Sequence, residues 1–138
     1  MRTGVLSKDE MVVEYFDLHY NPEFTFSSCV RAGDFVYTAH HGAWTYEDAP
    51  EELGIEEQTT RTLENLRVTL DAAGASLDDT VQTTVWLRRK EDFRGMRDTF
   101  RRYFKKGFPV RMTAFTDFLN DKCLIMIEII AYAPKSST

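Results

Sequence analysis

The stretch IEEQTTRTLENLRVTLDAAGASLDDTVQTTVWLR, residues 55–88, changes its apolar period halfway, and that change decides the fold class. Over residues 55–73, Ile55, Thr59, Leu63, Leu66, Leu70 and Ala73 recur at spacings of three and four, while Glu56, Glu57, Arg61, Glu64 and Arg67 fall elsewhere. The spacing predicts an amphipathic helix. Its acids sit in the first turn, where they suit the helix dipole, and Gly74 supplies the left-handed position that ends it. From residue 80 the period drops to two: Val81, Thr83, Val85 and Leu87 alternate with Gln82, Thr84, Trp86 and Arg88, as in a strand.

Working outward from this helix and strand, segments 29–32 and 35–41 read as two short strands around a Gly33-Asp34 turn. Segment 11–20, MVVEYFDLHY, is rich in β-branched and aromatic residues and reads as an added N-terminal strand closed by Asn21-Pro22. Residues 41–54, with Gly42, Pro50 and Gly54, read as a surface loop. A second helix is predicted over 91–106 from Phe93, Met96, Phe100, Tyr103 and Phe104, closed by Gly107 and Pro109. Two strands follow, 110–118 and 124–132, joined by a polar turn at Asn120-Asp121. The order is β-β-α-β-α-β-β, an α+β arrangement with two helices on one face of a mostly antiparallel sheet. A nearly continuous apolar last strand argues that the other face meets a second subunit rather than water.

The composition bounds the function. With 138 residues the chain is expected to be one domain, 1–138, frayed at about 1–10 and 135–138, too short for an enzyme with its own nucleotide-binding half. Its 17 Lys+Arg against 22 Asp+Glu leave a charge of −5, which speaks against nucleic acid as a general partner. No apolar stretch is long enough to span a bilayer as a helix, and the first ten residues lack a secretory core, so a cytoplasmic address is expected. Cys29 and Cys123, far apart and without CxxC spacing, read as reduced, packed thiols.

Glu128 within LIMIEIIAY is the first candidate for chemistry, because a carboxylate among aliphatic side chains costs several kcal/mol unless paired or protonated. Arg111 in FPVRMTAF is its natural partner, since it opens the neighbouring strand after a Gly-Phe-Pro turn and stays charged when desolvated. The pair reads either as a structural ion pair across two strands, or as a site where Arg111 clamps a substrate carboxylate while Glu128 holds water. His40 and His41 end a predicted strand, where adjacent side chains point to opposite faces, so the two do not share a metal. No nucleophile elbow, P-loop or GxGxxG is present. Nine of the 17 basic residues lie between Arg88 and Lys106, and Arg94, Arg97, Arg101 and Lys105 form a stripe on the second helix, read as its solvated face.

Blocks in order along the chain carry a resemblance. They are VRAGDFV (30–36), EEQT (56–59), LENL (63–66), AGASLDD (73–79), TTVWL (83–87), Asp92-Phe93, Tyr103-Phe104, FPVR (108–111) and IEI (127–129). The chain resembles the RidA/YjgF family of reactive imine/enamine deaminases, formerly labelled L-PSP endoribonucleases. The resemblance implies a chorismate-mutase-like subunit, a homotrimer with a central barrel, clefts between neighbouring subunits, and no cofactor. It implies further that Arg111 binds the carboxylate of a small 2-imino acid, such as 2-aminoacrylate or 2-iminobutanoate. Glu128 positions the attacking water, and ammonia and a 2-keto acid leave. Phe26, Ala39, His40, His41, Phe108, Pro109 and Thr113 then line the pocket.

The chain also departs from the family pattern near that pocket. Phe26 followed by Ser27-Ser28 stands where deaminases carry a tyrosine ahead of Ser-Gln, and Ala39-His40-His41 stands where they carry Ser-Gly-Gln. Met112-Thr113 replaces small or Ser/Cys residues. These changes remove hydroxyls and alter the pocket's reach. Two alternatives therefore stand beside the deaminase: a divergent enzyme using His40 or His41 on another small substrate, and a non-catalytic module binding a carboxylate metabolite or RNA.

Overall fold

A computed structural model describes residues 12–18, 22–44 and 51–135. The readings for the first ten residues, His19, Asn21, the loop centre at 45–50 and the last three residues lie outside it. Six strands and two helices follow in the order β1 (Val13–Phe16), β2 (Cys29–Ala32), β3 (Phe35–Thr38), α1 (Ile55–Ala72), β4 (Thr80–Leu87), α2 (Phe93–Phe100), β5 (Val110–Phe115) and β6 (Ile125–Tyr132). Both helices pack on one face of a six-stranded sheet of order β1-β2-β3-β6-β4-β5. Every pairing is antiparallel except β4 with β5. The N-terminal strand is real: β1 pairs with β2 from Val13↔Ala32 to Phe16↔Cys29. Lys135, expected to fray, is ion-paired with Glu14 of β1.

One expectation about the strands is overturned. The last two strands are not neighbours, because β4 lies between β5 and β6. The connection through α2 makes β4-α2-β5 a crossover unit, which lays β5 parallel beside β4 at the sheet edge. Strand β6 instead inserts between β3 and β4, antiparallel to both. The second helix is also shorter than its period suggests, ending at Phe100, with Tyr103 and Phe104 in the turns that follow.

Local chemistry explains the turns. Gly33 has φ +61, as the first central position of a two-residue hairpin turn demands, and Gly74 has φ +79 just after α1. The register of β4 slips between Thr80 and Gln82, which turns Val81 outward although its place in the alternation predicts burial. On the helix side, Leu63, Leu66 and Leu70 of α1 meet Val85, Leu87, Ile125, Ile127 and Ile129, all buried.

Arg31 closes that layer. It is buried, and its guanidinium donates to the carbonyls of Ala73 (Nε 3.0 Å, Nη2 2.7 Å), Gly33 (3.0 Å) and Ala133 (2.7 Å). These bonds tie the end of α1, the β2–β3 turn and the end of β6 to one charged fork. Gln58 performs the same office at the other end of α1, donating to Leu53 and Lys122 carbonyls and accepting from the Leu124 N–H.

Candidate functional site

Strand alternation places Arg111 and Glu128. Along β6, Ile125, Ile127 and Ile129 face the helices, so Met126, Glu128 and Ile130 face the open side. Glu128 is half-buried on that open face and not enclosed among aliphatic side chains as its sequence context suggests. Its register partner is Thr84, whereas that of Arg111 is Thr83. Consecutive residues of a strand point to opposite faces, so within one chain Arg111 and Glu128 are separated by β4 and by the sheet itself. The expected ion pair across adjacent strands is therefore absent. Arg111 lies on the helix side at the edge, its guanidinium carbon 5.6 Å from the Phe93 ring centroid and 5.4 Å from that of Phe100. Among the described residues it has no carboxylate partner.

Two separate cavities result. The larger, about 930 Å³, is lined by Phe26, His40 and Glu128, together with Trp44, Trp86 and Phe118 among others. The Trp86 Nε1–H donates to Glu128 Oε1 at 3.4 Å, which holds the carboxylate by one oxygen. The Phe26 ring stacks on His40 with centroids 6.2 Å apart, and on Phe24 at 6.3 Å. Arg88 shapes the opposite wall, donating to the carbonyls of Phe118, Asn120 and Cys123 while lying 5.4 Å from the Phe118 ring. The smaller cavity, about 300 Å³, is lined by Arg97, Phe100, Arg101, Phe108, Pro109 and Arg111.

The remaining predicted residues fall outside both cavities. His41 turns the other way from His40, as the alternation predicts: Nδ1 lies 2.7 Å from the Ala39 carbonyl and Nε2 2.8 Å from Thr69 Oγ1 on α1. A carbonyl only accepts, so Nδ1 donates to it, while Nε2 and the Thr69 hydroxyl form a second hydrogen bond that ties His41 to α1. Thr113 pairs with Val85 on the helix side and lines neither cavity, nor does Ala39. The basic stripe is split: Arg94 and Lys105 stay exposed, whereas Arg97 and Arg101 border the Arg111 cavity. Burial pushes the Cys29 thiol up to about 11 and raises that of Cys123, which borders the larger cavity, so neither is a ready thiolate.

Sequence reasoning missed the tryptophans. Trp86 could have been found, since the strand period puts it on the same face as Glu128 once the β4–β6 register is known. Trp44 sits in an irregular segment with no periodic signal. Among the described residues no three His, Cys, Asp or Glu side chains gather as metal ligands, and no helix is long and apolar enough to cross a membrane.

Sequence and fold match a known family. The family model described as Endoribonuclease L-PSP matches residues 18–133, so the chain belongs to that family, also called RidA/YjgF. A RutC family protein of Pyrococcus abyssi is 35% identical over 108 residues, which cover 78% of this chain and 85% of that one. A 2-iminobutanoate/2-iminopropanoate deaminase of Dermatophagoides farinae is 24% identical over 106 residues, covering 76% and 83%. A crystal structure of a YjgF/YER057c/UK114 family member from Mycobacterium tuberculosis superposes with a TM-score of 0.75 at 24% identity, covering 88% of this chain and 99% of the other.

Proposed function

We propose that the protein hydrolyses small 2-imino or enamine carboxylic acids to 2-keto acids and ammonia, in clefts completed by a second copy of the chain. The observation that carries this reading is the separation of an unpaired guanidinium from a cleft-lining carboxylate. Arg111 has a free charge at the sheet edge, and Glu128 opens into a cavity on the other face. Among the described residues neither meets a charge of opposite sign. The open face between them carries exposed Val13, Tyr15, Phe35, Tyr37, Met112 and Tyr132, an apolar surface suited to association. Homotrimeric assembly would bring the edge of one subunit to the open face of the next.

In such a cleft Arg111 would hold the substrate carboxylate by two parallel N–H···O bonds, fixing C2 against Glu128. The Glu128 carboxylate, held on one side by Trp86, accepts a proton from water whose oxygen bonds to C2 of the imine. The imine nitrogen takes up that proton and a second from the new hydroxyl as the C–N bond breaks. Ammonia leaves and the C=O of the keto acid forms. The deaminase named among the relatives supports this chemistry for the family.

The test is to generate 2-iminobutanoate with a threonine dehydratase and time 2-ketobutyrate formation. Acceleration by the wild-type protein, lost in Arg111→Ala, is the expected result, and no acceleration by the folded oligomer overturns the reading. Full activity in a monomer by sedimentation overturns the shared cleft. One observation favours a second reading: His40, unlike His41, shares the cleft with Glu128. There it would serve as acid or base on a different small substrate, whose turnover His40→Ala would abolish.

A further inference from the structure

The larger cavity is walled by aromatic rings and measures about 930 Å³ before a second copy covers part of that face. Both tryptophans of the chain line it, with Phe24, Phe26 and Phe118. Phe26 and His40 stack on each other, 28° from parallel. Together with Phe24 they make a continuous wall of rings.

Charge fixes which end of a ligand belongs here. Of the carboxylates bordering the cavity, Asp117 lies 3.7 Å from the Arg88 guanidinium, whereas Glu128 meets no cation among the described residues, so Glu128 repels a substrate carboxylate and directs it to Arg111. The group that enters is the other end of the molecule. We infer that this cleft receives a flat aromatic ring, so that the preferred substrate is a 2-imino acid with an aryl side group. The ring lies against Phe26 and His40. Offset stacking on aromatic side chains gives such a ring an advantage that an ethyl group lacks. The inference rests on Arg111 being the carboxylate anchor.

The experiment compares imines made in place by one L-amino-acid oxidase from tyrosine and from 2-aminobutyrate, scored against semicarbazide trapping. The kcat/KM ratio of aryl to alkyl imine is expected to be at least about ten in the wild type. It should fall toward one in His40→Ala and in Phe26→Ala. A wild-type ratio of one or less overturns the inference, and so does a ratio unmoved in both variants. If neither imine is hydrolysed, the deaminase reading falls, and calorimetry with 3-(4-hydroxyphenyl)propanoate and butanoate decides the inference by itself. Binding of the aryl acid roughly tenfold tighter supports it, and equal binding overturns it.

Discussion

The two faces of the sheet are made from the same strands, residue by alternate residue, yet they are finished differently. On the helix side every aliphatic side chain of β6 is sealed, and the polar groups that enter, Arg31 and Gln58, are bonded to backbone. On the open side the partners of those residues stay wet: Tyr37 and Tyr132 are exposed, and Glu128 is held by one bond of 3.4 Å. The first face is complete within one chain and carries its stability. The second is incomplete and carries the groups suited to association and chemistry. Substitutions on the two faces should therefore report on different properties.

The sharpest way to break this contrast is at Arg31. Arg31→Ala leaves the carbonyls of Ala73 and Ala133, both buried, without the donors they now have, and frees that of Gly33 in the exposed turn. We expect a loss of about 3–5 kcal/mol in urea unfolding, the cost of breaking a buried charged network. Next in size is the pair Ile127→Ala and Ile130→Ala, three positions apart on β6 and on opposite faces. Ile127 is fully buried, so its truncation should cost about 2–5 kcal/mol. Ile130→Ala in the isolated subunit should cost less than about 1.5 kcal/mol. Equal losses would show that the open face also holds the subunit together.

What could be read beforehand follows the same division. Helix α1 and strand β4 were legible because each buries one side against a single core, which leaves a strong period in the chain. The sheet order was not, since nothing local in residues 110–132 tells β6 to insert between β3 and β4. That insertion is what puts Arg111 and Glu128 on opposite faces. The apolar run around Glu128 hid its own alternation, because Met126 and Ile130 on the open face are as apolar as Ile127 and Ile129 beneath. Arg31 gave no signal at all: its acceptors Ala73 and Ala133 lie 42 and 102 residues away.

The helix-side seal can also be probed by proton. Burial raises the Cys29 thiol from 9.0 to about 11, so the folded state prefers the neutral thiol more than the unfolded chain does. This contribution is fully present below pH ~9 and is lost as pH rises through ~11, up to about 2–3 kcal/mol. The measurement is unfolding free energy from pH 8 to 11 in wild type and Cys29→Ala. The variant should show the shallower fall over that window, since other titrating groups are common to both proteins. Parallel curves would mean that water reaches the thiol and that the seal over β2 is leaky.

The smallest effect belongs to the outer layer, where α2 crosses α1 at Gly95. A Cβ built there would come 2.7 Å from Ile55 Cγ2, which is too close unless something moves. The obstacle is the branch methyl of Ile55 at the first position of α1, only partly buried, which clears the new Cβ by a χ1 change or a small shift of that first turn. Against the cost of that rotation, roughly 1–2 kcal/mol, stands the gain of replacing glycine by alanine inside a helix, up to about 1 kcal/mol. Gly95→Ala should therefore destabilise by less than about 1 kcal/mol in urea unfolding. A loss above 2 kcal/mol would mean that Ile55 is pinned, and that the helix-to-helix contact belongs with the sealed face rather than with the tolerant exterior.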